Sequence, residues 1–524
     1  MTPTEKRHLA YILLLALGLR LYVTLFTPVI GTDGYFFVKN SQLYYAGQFL
    51  EGLREAHHPL YPMLIALFNT AVGDFETAGK LVSLIFGTLT IIPLYFLTRS
   101  IFSHRVAIFA AFFIAMNAAH VRHSADIMTE STYIFFFVTG VWLSWEMLRS
   151  TSTILPVLAA ISSVLAYYTR PEGLGICLVV IPWAFVVGFW EKKDLRPVYN
   201  AFIFTLVTVI LVLPYILFVH KETGIWHITK KGSAREIAGY VIVPKPSEKK
   251  SIDIKHKKSD AERLYDWKEK GNYPMIGLYI VGEFIKVCYY PFVPFLLLGF
   301  FTIRQGREGP QSILKYILSI RMALSSSRPA GEFFVISIFF LYFAVLFMLA
   351  VSSYYTSGRY LLPLVALSAM WIGMGLERTT QYLSKVIPQS FNMSPDRATV
   401  VLLLVLAALT LPKATKIKRQ NEVMQKEAGH WLKHQTDKKP PIIMGLQKVA
   451  FYADCSYVPL PDGGYDALVK IARESEIDYL FVYSEETDPN VLQSLDDNKD
   501  FLPVKEWTER KNARHLRAYK LNAR

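Results

Sequence analysis

One carboxylate, Asp33, stands where the first long apolar run ends, in GTDGYFF, and two histidines, His57 and His58, follow in EAHHPLYP. Far along the chain, Arg359 and Tyr360 open another apolar run in SGRYLLPL. An acid, imidazoles and a guanidinium are the residue types that move a proton and hold an anion. Two readings of Asp33 stand at this stage, a helix cap in an amphipathic loop and a general base. RHSADIMTES adds Arg122, Asp126 and Glu130, and YYTRPEG adds Arg170 and Glu172. Each has a plain structural alternative: Arg170 can pair with Glu172 around Pro171, and either Asp126 or Glu130, four apart on a helix, can pair with Arg122. The functional alternative is that they line a site and bind an acceptor.

These residues need a scaffold, and the composition says which. Of the 524 residues 52% are hydrophobic, with 35 Phe and 30 Tyr, and several apolar runs are long enough to cross a hydrocarbon core of about 30 Å. The chain reads as a polytopic α-helical membrane protein. Lys6 and Arg7 precede the run Leu9 to Ile30, which is too long for a signal-peptide core and has no small-residue cleavage site, so it is read as a retained span. Further runs are 78–97, 106–119, 131–148, 154–168, 174–190, 198–219, 275–303, 333–351, 361–376 and 398–411, giving about eleven spans. The net charge of +14 is spread over loops without a nucleic-acid module, so nucleic acid is not an expected partner. Cys177, Cys288 and Cys455 are too far apart to suggest a zinc site or a disulfide framework, and no cofactor is expected.

Short-loop cations orient the chain. With the N-terminus cytoplasmic, the inside loops hold Arg99 and Arg105, Arg149, Lys192, Lys193 and Arg196, a cluster from Arg304 to Arg328, and Arg378, Lys385 and Arg397. The long segments then fall outside. Residues 1–412 form the membrane domain, with external loops at 31–76 and 220–274, and 413–524 a small extracytoplasmic α/β domain. The 220–274 loop is read as a partly ordered flap. In the tail, 416–434 reads as an amphipathic helix, 441–444, 479–483 and 514–521 as strands, and 467–474 as a helix. Asp462, Gly463 and Gly464 read as a turn, because no helix-opening glycine pattern accompanies them. After Asp33, the apolar stripe of Leu43, Tyr44, Phe49, Leu50 and Leu53 predicts short interfacial helices.

In this topology Asp33, His57, His58, Arg122, His123, Asp126, Glu130, Arg170, Glu172, Arg359 and Tyr360 all map to the outer face. Ionisable groups at membrane depth are costly and face a cavity or a partner, so the asymmetry points to an external site. Outside the cytoplasm there is no ATP or nucleotide sugar, so a bond-making enzyme needs an activated donor carried in the lipid. A polyprenyl-phosphate sugar meets that need. A carboxylate such as Asp33 takes the acceptor hydroxyl's proton, and a guanidinium such as Arg359 stabilises the departing phosphate.

The order of TDGY, HHPLYPMLIAL, RHSADIMTES, YYTRPEG and SGRYLLPL resembles the GT-C membrane glycosyltransferases of the protein O-mannosyltransferase and aminoarabinose transferase type, over roughly Leu9 to Leu376. The tail is similar to the soluble domain these proteins often carry. The resemblance implies that Asp33 is the catalytic carboxylate, that His58, with His57 beside it, belongs to a His-Pro segment serving the donor, and that Arg359 and Tyr360 hold the lipid phosphate. Many relatives have an Asp-Glu pair where this chain has Asp33 and Gly34, which argues for metal-independent displacement. The expected partners are the lipid bilayer, a polyprenyl-phosphate sugar, and a hydroxyl acceptor on protein, lipid or glycan. Two other classes fit less well: a lipid-linked substrate transporter or flippase, which would show paired broken helices or an internal repeat, and a non-catalytic envelope assembly protein.

Overall fold

The computed structural model describes residues 1–192, 194–230, 260–301, 327–386, 394–435, 440–461, 463–509 and 514–522. The chain divides into two compact units, one of Met1–Thr24 with Asn40–Lys416 and one of Leu25–Lys39 with Ile417–Arg524. The division departs from a single break at 412: fifteen residues ahead of the second helix's middle, Leu25 to Lys39, cluster with the tail.

In the first unit the apolar runs are helical among the described residues, the fold in which a single segment satisfies its own backbone groups in lipid. Among the described residues seven helices are long and apolar enough to cross a membrane, or nine if each of two bent pairs is one span. The remaining two of the expected runs are Thr129–Arg149, which has 21 residues, and Ile154–Thr169, which has 16. Two runs read as straight are broken. His104–Met116 meets Ala118–Ser124 at 61°, and Tyr273–Cys288 meets Tyr290–Phe301 at 94°, with Tyr289 at φ 73° in the elbow.

The first break is sealed by residues the sequence did not single out. Asn117 caps the second segment by accepting from the His120 amide at 3.0 Å, and its Nδ2 donates to the Val287 carbonyl at 2.9 Å. A broken helix leaves its last carbonyls without partners, a heavy cost away from water. Arg20, six residues before the end of the first helix and fully buried, supplies them: its guanidinium donates to Ile114 at 3.1 Å and Ala115 at 3.3 Å, as well as to Ala16 on its own helix at 3.1 Å, and meets His120 Nδ1 at 2.8 Å.

Close helix packing relies on small residues, as membrane helices require. A Cβ added at Gly375 would stand 2.0 Å from the Phe295 carbonyl oxygen, and one at Gly299 would stand 1.8 Å from that of Trp371. Between the first and second spans the expected short helices are present, at Thr32–Tyr45, Phe49–Arg54 and Leu60–Val72. Their stripe is only partly continuous: Tyr44 is buried, whereas Phe49 and Leu50 are exposed.

In the second unit a five-stranded sheet has the order β2-β1-β3-β5-β4, with β1 (Ile442–Met444), β2 (Ser456–Val458), β3 (Tyr479–Tyr483), β4 (Phe501–Glu509) and β5 (Arg514–Leu521). β1 pairs parallel with β2 and β3, and β5 pairs antiparallel with β3 and β4. Side chains alternate across a strand, so Phe481 and Tyr483 pack under the helices Val423–Gln435 and Gln447–Ala453, while Leu480 and Val482 pack under Tyr465–Glu474 and Pro489–Asp497. Both faces are covered, which explains the unbroken apolar run of β3. Gly445, at φ 116° and with no room for a Cβ beside the Phe481 carbonyl, ends β1 where only glycine fits.

The tail departs from expectation in its details. The 416–434 helix is confined to Val423–Gln435 after a 3-10 turn at Gln420–Glu422, and β2, β4 and the helices Gln447–Ala453 and Pro489–Asp497 are additions. Most of the proposed 220–274 flap, the inside-loop cations from Arg304 to Arg321 and Asp462 lie outside the described residues.

Candidate active site

Three helix ends meet in the first unit. Glu130 is the second residue of Thr129–Arg149, in the first turn, where the helix dipole favours a carboxylate. Arg170 caps the end of Ile154–Thr169 in extended conformation, φ −153° and ψ 138°, as the following Pro171 demands. Glu172 follows in the 3-10 turn Pro171–Leu174. Arg359 lies in the 3-10 turn Gly358–Leu361 that opens the Leu362–Val386 helix.

The sequence separates these ends; the fold joins them. Glu130 Oε1 accepts from Arg170 Nη1 at 3.1 Å and lies 3.7 Å from Arg359 Nε, so one carboxylate oxygen serves two guanidinium groups. Arg170 also donates to Glu172 Oε1 at 3.1 Å. Two cations and two carboxylates balance, the condition for burying any of them. The Glu130 side chain is 4% exposed, Arg170 13% and Arg359 22%, which ranks Arg359 as the cation nearest to solvent. Burial works against the charge on Arg170, and the Glu172 and Glu130 carboxylates outweigh it, so the guanidinium holds its proton more firmly than in water.

Aromatic rings frame the pair. Tyr360 lies under both guanidinium groups, 4.7 Å from Arg170 and 5.2 Å from Arg359, and Tyr133 lies 5.6 Å from Arg170. Arg359 Nη2 donates to Tyr360 Oη at 3.4 Å. Glu130 Oε2 is buried and has no hydrogen-bond partner among the described residues. Tyr133, one turn after Glu130 on the same helix, was legible by its spacing but was read as part of the apolar span.

Other expected site residues sit elsewhere. Asp126 and Glu130 do not share a helix: Asp126 lies in the turn between Ala118–Ser124 and Thr129–Arg149, where its Oδ1 accepts from the Ile127 amide at 2.9 Å. Arg122, the partner expected for them, donates to the Ala118 carbonyl at 3.1 Å, and Glu130 takes Arg170 and Arg359. His58 is buried against tyrosines, with ring centroids 5.2 Å from Tyr167 and 5.7 Å from Tyr215, and its Nε2 is 3.1 Å from Thr229 Oγ1. His57 beside it is half-buried. Asp33 belongs to the second unit as the second residue of Thr32–Tyr45, half-buried, two places past the position that a cap would occupy. Among the described residues no group of three or more His, Cys, Asp or Glu is arranged to hold a metal ion.

Residues 56–218 match the family model described as dolichyl-phosphate-mannose-protein mannosyltransferase, a segment that contains Glu130, Arg170 and Glu172. No curated protein sequence matches significantly. Among solved structures, the chain is similar to ArnT from Cupriavidus metallidurans in the apo state, with 13% identity, 97% of each chain covered and a TM-score of 0.58. The same protein bound to undecaprenyl phosphate gives 12% identity, the same coverage and a TM-score of 0.55. The Archaeoglobus fulgidus oligosaccharyltransferase tethered with an acceptor peptide gives 12% identity and a TM-score of 0.56, covering 100% of this chain and 74% of that one. The fold is that of the GT-C glycosyltransferases.

Proposed function

We propose that this GT-C-fold membrane protein transfers a sugar from a polyprenyl-phosphate donor to a hydroxyl acceptor at the extracytoplasmic face. The observation that carries this reading is the charge-balanced cluster of Glu130, Glu172, Arg170 and Arg359 around Tyr360, gathered at three helix ends. Undecaprenyl phosphate bound by the ArnT of similar fold supports the donor class.

The chemistry follows from the residue types. Arg359, the more exposed cation and the one held by the longer contact to Glu130, turns toward the donor phosphate; Arg170, clamped between two carboxylates, keeps Glu130 from being left without a partner. Asp33 accepts the proton of the acceptor hydroxyl as its oxygen attacks the anomeric carbon. The bond from that carbon to the phosphate oxygen breaks, and polyprenyl phosphate leaves with the charge that Arg359 stabilises. A single displacement inverts the anomeric centre. His58, packed among tyrosines, orders the 225–230 segment through Thr229, together with Tyr167, whose hydroxyl donates to the Ile228 carbonyl at 2.7 Å. In this reading the membrane domain, residues 1–412, has its N-terminus in the cytoplasm, and the tail is extracytoplasmic. The test is donor turnover by purified protein: polyprenyl phosphate released from a synthetic polyprenyl-phosphate sugar, with the anomeric configuration of the product read by NMR. Retention of configuration, or no release from any such donor, contradicts the reading.

A further inference from the structure

The connector between the first two helices, Pro3–Phe26 and Thr32–Tyr45, is irregular, yet Val29 and Ile30 are fully buried. Buried backbone outside regular structure must find partners for its polar groups. Here all three named partners come from the tail, within the second unit. Arg419 Nε donates to the Val29 carbonyl at 2.9 Å, Lys426 Nζ donates to the Pro28 carbonyl at 3.2 Å, and Tyr452 Oη accepts from the Ile30 amide at 3.1 Å. Consecutive residues are thus gripped on both sides of the chain.

The grip is itself built. Lys426 lies 4.8 Å from the Tyr452 ring centroid, so two of the three side chains brace each other. Arg419 has φ 59° and ψ 23°, a left-handed conformation uncommon outside glycine, which the contact to Val29 accompanies. One turn into the next helix, Tyr35 packs edge-on against Phe451, the neighbour of Tyr452, at 6.3 Å. Asp33 lies between these fixed points, three residues after Ile30 and two before Tyr35.

We infer that the C-terminal unit is a positioning element for Asp33, with Tyr452, Arg419 and Lys426 fixing the start of the helix that carries it. The inference rests on the reading of Asp33 as the base. A carboxylate must meet the acceptor hydroxyl within hydrogen-bond reach, and a misplacement of about 1 Å is enough to cost roughly a hundredfold in rate. Tyr452, Arg419 and Lys426 are therefore positioning residues, and the tail works on the reaction through the backbone ahead of Asp33.

The experiment uses the full-length protein and two readouts. Tyr452→Phe keeps the ring and loses the acceptor; Arg419→Met keeps most of the length and loses the donor. Each is expected to lower turnover roughly three- to tenfold with donor KM unchanged, and the double variant further. Hydrogen–deuterium exchange is expected to quicken at residues 28–36 while the strands β1, β3 and β5 keep their protection. In an Asp33→Asn background Tyr452→Phe is expected to have no further effect on residual turnover, because a misplaced Asn loses nothing. Unchanged exchange at 28–36 overturns the anchoring, and an equal turnover loss in both backgrounds overturns the link to Asp33. If Asp33→Asn alone turns over normally, the base assignment fails instead, and the exchange result still decides the anchoring.

Discussion

At the scale of single residues the account turns on one acid and one shared carboxylate. Asp33→Asn keeps size and hydrogen bonding but cannot take a proton, so turnover should fall by roughly 10² to 10⁴ with donor binding retained. Arg359→Lys keeps charge and loses the fork, and donor KM should rise about tenfold with an unchanged melting temperature. Glu130→Ala is the opposite case: it strips the carboxylate that two guanidinium groups share, and the loss should be about 3–5 kcal/mol of stability, measured by thermal unfolding in detergent. Legibility divides along the same line. The Arg170–Glu172 pair could be read from YYTRPEG because its members are two residues apart. Glu130 with Arg359 could not, because 229 positions separate them and nothing local marks which ends of which spans meet; Arg122, nearer in sequence, was the wrong partner.

At the scale of elements, apolar length located the helices and failed at their breaks. Prolines and glycines are the usual signals of a break; Pro291 stands beside the Tyr289 elbow, but Asn117 is neither, and the partners that make its break tolerable, Arg20 and Val287, lie far away in sequence. β3 was legible as a continuous apolar run. β4 was not, since six of its nine residues are exposed and its pattern is interrupted near Pro503, where pairing with β5 slips. The glycine contacts give a sharp expectation. Gly375→Ala puts a methyl where the Phe295 carbonyl stands, so the two helices must part; the melting temperature should drop by the equivalent of about 1–3 kcal/mol, whereas Gly18→Ala, with nothing within 4 Å, should be silent.

At the scale of the whole molecule, a membrane unit presents buried, balanced charge at helix ends, and a sheet-containing unit holds the segment that carries Asp33. On the proposed topology the 31–76 loop and the tail are both outside, so a reporter enzyme that is active only outside the cytoplasm, fused after the tail, should be active, and one active only inside should be silent. If the displacement is metal-independent, as Gly34 beside Asp33 implies on the family resemblance, EDTA should leave turnover unchanged. The most direct measurement is release of polyprenyl phosphate by purified protein from a synthetic polyprenyl-phosphate sugar, wild type beside Asp33→Asn at matched amounts. The account predicts release by the wild type and a loss of roughly 10² to 10⁴ in the variant; equal release by both, or none by the wild type across a panel of sugars, would contradict it.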